Sequence, residues 1–204
     1  MENLTEKNEI KHLLLDLGGV LILRQTTDWN VLGSRFNIEG AQLKLIIQDC
    51  FTKQAADKNF QLEQYYNDKY KNQLSFEDYK EVVKSIHSSE YVNTLLLEWL
   101  IQNKQKFTIS AVTNNTAGVE SLLNEKFNIN GLFGNIFNSA EIGFTKPDPN
   151  FFKYVINFLK VPPDECIFVD DNLQNVLGAE SVGLIGIHFI DTVEFINKMN
   201  TLLI

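Results

Sequence analysis

Apolar residues follow two rhythms along this chain. Ile10 to Leu15 is a nearly continuous apolar run, interrupted by Lys11 and His12, and it ends in Asp16-Leu17-Gly18-Gly19. An apolar run bounded by glycines predicts a buried strand of a parallel sheet. From Tyr91 onward, strand-like and helix-like patterns alternate. Helices are predicted over residues 91–104, 117–127, 148–159, 172–182 and 193–203. Strands are predicted over 107–112, 134–138, 166–169 and 185–190. Pro147-Asp148-Pro149 is a helix start signal. Strands alternating with helices of about 10–15 residues indicate βαβ units. The expected fold class is therefore α/β, a doubly wound, Rossmann-like parallel sheet.

Residues 24–90 differ in character. They contain no proline, are rich in Gln, Lys, Asn, Tyr and Phe, and show helical spacing in Leu43-Ile46-Ile47 and Leu62-Tyr65-Tyr66. Such spacing predicts a helical insertion with a core of its own. The expected organisation is a sheet domain of residues 10–23 plus 91–204, interrupted by a small helical unit. Trp29, Phe60, Tyr65 and Tyr66 belong to that unit, and at helical spacing aromatics favour core positions over ligand contact.

Charge narrows the chemistry. The formal net charge is −8 and only Arg24 and Arg35 supply guanidinium groups. Nucleic acid and anionic membrane both require a basic footprint, so neither is expected as a partner. A phosphate site would have to be local, built from a few cations, backbone amides or a metal. Cys50 and Cys166 form no CxxC and are expected as buried, reduced thiols. No apolar run approaches the ~18 residues of a membrane span. The stretch MENLTEKNEIKH lacks the pattern of a signal peptide, so a cytoplasmic location is expected.

Ligands of open parallel sheets bind beyond the carboxyl ends of the strands. Polar groups stand there repeatedly: Asp16, then Thr113 and Asn114, then Asp170 and Asp171, with Lys146 in the loop GFTKPDP. Singly, each has a structural reading, since an Asp after a strand often only caps the next helix. Together they are parts for phosphoryl transfer. Converging carboxylates repel unless a hard cation lies between them, which implies Mg²⁺. One carboxylate can attack phosphorus to form an aspartyl phosphate. A lysine and free N–H groups can hold the phosphate oxygens.

With these motifs in view, the chain resembles the haloacid dehalogenase (HAD) superfamily. The closest match is its phosphatase-rich subfamily with a helical cap inserted after the first strand. The motifs are LLLDLGGVL at 13–21, ISAVTNN at 109–115, GFTKPDPNFF at 143–152 and CIFVDDNLQNVLGAESVGL at 166–184. The resemblance implies that Asp16 is the nucleophile and a metal ligand. Thr113 and the Asn114 N–H would hold the transferring phosphate, and Lys146 would neutralise it. The Gly18 carbonyl, Asp170 and Asp171 would complete the Mg²⁺ site, supported by Asn175. Residues 24–90 would be an all-helical cap that closes over the site and selects a small phosphorylated metabolite, with sugar phosphates among the candidates.

One position departs from that family. Most of its phosphatases carry a second aspartate two residues after the nucleophile, to protonate the leaving group and activate water; here it is Gly18. General acid–base catalysis contributes about 10²–10⁴-fold. Three readings follow: substrates with good leaving groups, a proton from elsewhere such as Asp28, or binding of phosphorylated ligands without efficient turnover. Dehalogenation of 2-haloacids is a further alternative, disfavoured by the Asp170-Asp171 pair.

Overall fold

A computed structural model describes residues 9–203, so most of the N-terminal stretch read for targeting lies outside the described residues. Five parallel strands form the central sheet: β1 (His12–Leu15), β4 (Thr108–Thr113), β5 (Asn135–Asn138), β6 (Cys166–Asp170) and β7 (Ile185–His188), in the order β5-β4-β1-β6-β7. From β1 the chain runs outward through β4 and β5, then returns to the other side of β1 for β6 and β7. That reversal between β1 and β6 is where such sheets open a ligand crevice.

Side-chain alternation explains the two layers of helices. Leu13, Leu15, Ile109, Ala111, Ile167 and Val169 belong to one buried cluster, into which Leu96, Trp99 and Leu100 of α5 (Thr94–Asn103) and Phe195 and Met199 of α10 (Thr192–Leu202) also pack. Leu14, Val112 and Phe168 belong to the other. There they meet Phe151, Phe152 and Val155 of α8 (Pro149–Leu159) and Ala179 of α9 (Leu173–Glu180). A strand buried on both faces has no polar side, which is why the sequence shows runs here rather than alternation.

Residues 24–90 carry four helices: α1 (Trp29–Ser34), α2 (Gly40–Ala56), α3 (Leu62–Lys69) and α4 (Phe76–Ser88). They enclose a separate cluster that includes Leu43, Ile46, Cys50, Tyr66, Tyr79 and Val82, with Trp29 and Tyr65 packed against it. The Tyr66 hydroxyl donates to the Leu74 carbonyl at 2.9 Å, and those of Tyr65 and Tyr70 donate to one oxygen of Asp49 at 2.7 Å each. These rings serve the core of the helical unit. Both cysteines are buried and free, and burial pushes the Cys50 thiol up to about 11 and Cys166 to about 12.

The structure adjusts several sequence expectations. The base of the insertion is a two-stranded antiparallel ribbon, β2 (Ile22–Arg24) with β3 (Glu90–Val92). The helix expected from Tyr91 therefore starts at Thr94, where the Asn93 side chain accepts from the Leu96 N–H at 3.3 Å. The helix expected over 117–127 is a short α-turn, α6 (Val119–Ser121), followed by a π-helical turn over Leu122–Lys126. A further short helix, α7 (Ser139–Ile142), directly follows β5. Thr113 and Asp170 are the last residues of their strands rather than the first beyond them, because parallel pairing continues to Asn138 and His188. No helix of the described residues is long and apolar enough to cross a membrane.

Gly178 lets α9 approach the loop that enters α8. A Cβ there would lie 2.4 Å from the Pro147 carbonyl and 3.1 Å from the Phe152 ring. Gly178→Ala is therefore expected to force the two elements apart and to cost about 1–3 kcal/mol. A urea denaturation curve checks this; an unchanged midpoint would contradict the close approach.

Candidate active site

The site is assembled from chain segments that the sheet topology brings to one end of β1 and β6. The Asp16 N–H continues the ladder by donating to the Val169 carbonyl at 2.9 Å. Asp16 and Asp170 share the parity of Leu14 and Phe168, so both carboxylates turn to the face on which α8 packs. Lys146 arrives on that face from the loop before α8. Its Nζ donates to Asp16 Oδ1 at 2.7 Å, to Asp170 Oδ2 at 2.7 Å and to the Val112 carbonyl at 2.8 Å. It lies 5.4 Å from the centre of the Phe168 ring. The lysine that could have been a solvated surface residue is 4% exposed.

Asn114 fixes that lysine from the backbone side. Its Nδ2 donates to the Lys146 carbonyl at 2.8 Å, and its Oδ1 accepts from the Lys146 N–H at 2.9 Å. This reciprocal pair clamps the two loops together, a role for the Asn114 side chain that the sequence did not reveal. Thr113 is buried at the end of β4, beside β1. Asp170 is fully buried: Oδ1 accepts from the Asn172 N–H at 2.8 Å, and Asn175 Nδ2 lies 3.0 Å from both oxygens. Asn175 therefore supports Asp170, not Asp171.

Asp16, Asp170 and Asp171 offer carboxylate oxygens that all lie within 4.8 Å of one another. Burial pushes the Asp16 carboxyl up to about 6, against the pull of the Lys146 ammonium and with the added push of Asp170. Burial and the charge of Asp170 also raise Asp171. One ammonium answers three carboxylates, those of Asp16 and Asp170 buried and that of Asp171 exposed, so the cluster holds excess negative charge. A hard divalent cation fits both the charge and the all-oxygen donor set.

The two glycines after Asp16 differ in kind. Gly19 has φ +82°, and a Cβ there would lie 2.2 Å from Asp171 Oδ2. It is required by backbone conformation and by the close carboxylate. Gly18 is exposed, and a Cβ there would meet nothing within 4 Å. Asp28, considered as a proton source, instead caps α1, its Oδ1 accepting from the Asn30 and Val31 N–H groups at 3.0 Å each.

Sequence reasoning also passed over Asn138 and Ser139, and it placed His188, in a strand-like segment, at a buried or edge position rather than in a metal site. Asn138 Nδ2 donates to the Thr116 carbonyl at 2.9 Å. Ser139 Oγ accepts from the Asn115 N–H at 3.2 Å and donates to the Ala55 carbonyl of α2 at 2.6 Å. His188 Nε2 lies 3.0 Å from the Asp171 carbonyl and must donate to it. Asn138 ends β5 and Ser139 follows it, and that placement at a strand end was the available signal.

A family model described as haloacid dehalogenase-like hydrolase matches residues 10–183. The chain belongs to the haloacid dehalogenase-like hydrolases. Among curated relatives, it is 44% identical over 61 residues to a sesquiterpene phosphatase of Aspergillus oryzae, covering 30% of this chain and 31% of that one. It is 35% identical over 83 residues to a flavin mononucleotide hydrolase of Arabidopsis thaliana, covering 41% of this chain and 34% of the other. The chain thus spans about a third of each of these relatives. Among solved structures, it superposes on a HAD family enzyme of Bacteroides thetaiotaomicron in complex with magnesium and inorganic phosphate. The TM-score is 0.69 at 20% identity, over 87% of this chain and 93% of that one. That likeness establishes the shared fold.

Removing the Lys146 ammonium would leave two buried carboxylates without their common partner. Lys146→Ala is expected to cost about 3–5 kcal/mol of stability, the usual loss on breaking a buried ion pair. Denaturant unfolding in EDTA measures it, and a loss below about 1 kcal/mol would contradict the pairing.

Proposed function

We propose that this protein is a Mg²⁺-dependent phosphatase that hydrolyses a small phosphorylated metabolite through an aspartyl-phosphate intermediate. The observation that carries the reading is the single buried ammonium of Lys146, 2.7 Å from both Asp16 Oδ1 and Asp170 Oδ2, in a cluster of three carboxylates. The phosphatase and mononucleotide hydrolase among its relatives, and the Mg²⁺–phosphate complex of its structural neighbour, support the same chemistry.

In this reading the free Asp16 carboxylate oxygen attacks phosphorus, a P–O bond to Asp16 forms, and the bond to the ester oxygen breaks. Water then attacks the acyl phosphate, releasing inorganic phosphate and regenerating Asp16. Lys146 keeps Asp16 ionised against its burial and faces the charge of the phosphoryl oxygens. Thr113 and the Asn114 N–H are the assigned phosphate donors. Asp16, the Gly18 carbonyl, Asp170 and Asp171 would hold Mg²⁺, which supplies charge neutralisation for the carboxylates and the phosphate. Helices α1–α4 are assigned as the cap over this site, joined to the sheet domain by the β2–β3 ribbon.

Gly18 provides no proton donor for the leaving group and no base for water. Its backbone does not demand glycine, so conformation alone does not account for the absence of an acid there. A slow phosphatase, or one suited to good leaving groups, is the form this reading takes. A 2-haloacid dehalogenase needs no cation, and the Asp170-Asp171 pair argues for one.

Phosphate release from a panel of esters, with Mg²⁺ or with EDTA, tests the assignment. Asp16→Asn is expected to reduce turnover by at least about 10³-fold, as for other lost nucleophiles. Undiminished turnover in that variant, or in EDTA, would overturn the proposal. Gly18→Asp adds a side chain where space is open, and it is expected to raise kcat by about tenfold or more on esters with poor leaving groups. A fall in kcat with a native circular dichroism spectrum would refute that role for position 18.

A further inference from the structure

The last turn of α2 ends on the sheet domain. Carbonyls in a last turn have no donor within the helix, and that of Ala55 accepts instead from the Ser139 hydroxyl at 2.6 Å. Just beyond, the Lys58 N–H donates to the Ala140 carbonyl at 3.0 Å. Ala55, Ser139 and Ala140 are all buried, so the two units meet here in a contact closed to solvent.

Ser139 also faces the loop after β4. Its Oγ accepts from the Asn115 N–H at 3.2 Å, while Asn138 donates from Nδ2 to the Thr116 carbonyl at 2.9 Å. A hydroxyl has one donor and two acceptor positions, so Ser139 makes both of its bonds without competition between them. Donation to Ala55 makes the same oxygen a better acceptor for Asn115. The Asn115 N–H and the Asn114 carbonyl belong to one planar peptide unit, so holding the first orients the second. Asn114 in turn grips the Lys146 backbone at 2.8 and 2.9 Å, and Lys146 reaches Asp16 and Asp170 at 2.7 Å each. Hydrogen bonds and one peptide unit thus lead without a break from the end of α2 to the two carboxylates.

We propose that Ser139 is a positioning residue. Oriented by the Ala55 carbonyl, its hydroxyl holds the Asn114–Asn115 peptide and, through it, the lysine loop, so the seating of α2 and the geometry of the site are coupled. Ser139 touches neither substrate nor the reacting atoms and acts only through Asn114 and Lys146. Its importance for turnover rests on the phosphatase reading; the coupling itself does not.

Amide hydrogen exchange, followed residue by residue by NMR in the full chain, reads the coupling without turnover. Ser139→Ala is expected to speed exchange about tenfold at the Asn115 and Lys146 amides, the scale of one hydrogen bond, and to leave Val169 of β6 unchanged. Ser139→Thr keeps the hydroxyl and is expected to leave all three slow. Lys58→Pro tests the link from the other side, and it decides alone if Ser139→Ala does not fold. Lys58 is the second residue of a turn closed by the Phe60 N–H on the Asp57 carbonyl at 3.1 Å, a position that proline suits. The substitution deletes the N–H given to Ala140 and the Lys58–Glu141 pair, and the same two amides are expected to exchange faster.

Unchanged exchange at Lys146 in either folded variant, an equal acceleration at Val169, or a Ser139→Thr protein that exchanges like Ser139→Ala would overturn the coupling. In turnover, Ser139→Ala is expected to lower kcat about tenfold with KM nearly unchanged, as for an interaction that matters only in the transition state. An unchanged kcat beside faster Lys146 exchange would overturn the positioning role. Failure of the wild-type chain to release phosphate from any ester would overturn the hydrolase reading instead, and the exchange result would still decide the coupling.

Discussion

One buried ammonium orders the centre of this molecule. Lys146 sits between the carboxylates of Asp16 and Asp170, which come from adjacent strands and would otherwise repel each other in a place with little water. Holding a lysine there imposes conditions on its surroundings. The Asn114 side chain binds the lysine backbone in both directions, and the Val112 carbonyl takes the third Nζ hydrogen bond. Gly178 lets α9 close against the Pro147 carbonyl just beyond. Removing any of these frees the lysine loop or crowds it.

The same cluster shows the difference between a glycine of shape and a glycine of chemistry. Gly19 lies under the Asp171 carboxylate with a positive φ, so any other residue there would strain the turn after β1. Gly18, its neighbour, has open space and an ordinary backbone. Position 18 therefore has room for a side chain, and glycine there is not imposed by shape.

The helical unit is held in two ways. Its interior cluster is self-contained, anchored by the buried Tyr66 and by Asp49 with its two tyrosine donors. Its contact with the sheet domain is polar: Ser139 Oγ to the Ala55 carbonyl at 2.6 Å, the Lys58 N–H to the Ala140 carbonyl at 3.0 Å, and Lys58 with Glu141 at 2.8 Å. The Lys58–Glu141 pair is exposed, and such pairs contribute about 0–1 kcal/mol, whereas the Ser139 bond is buried.

The sequence by itself determined the fold class and which residues stand at strand ends. Buried parallel strands require apolar runs, and the residues that follow such runs are set by counting along the chain. Asp16, Thr113 and Asp170 were legible for that reason, Lys146 through the GFTKPDP motif, and residues 24–90 through their helical spacing. The tertiary structure alone decided what those residues do to one another. That Lys146 reaches two carboxylates, that Asn114 grips its backbone and that Asn175 serves Asp170 all depend on segments far apart in the chain meeting at the β1–β6 reversal. The β2–β3 ribbon and the π-helical turn after α6 were equally hidden. No local pattern of hydrophobic and polar residues encodes them.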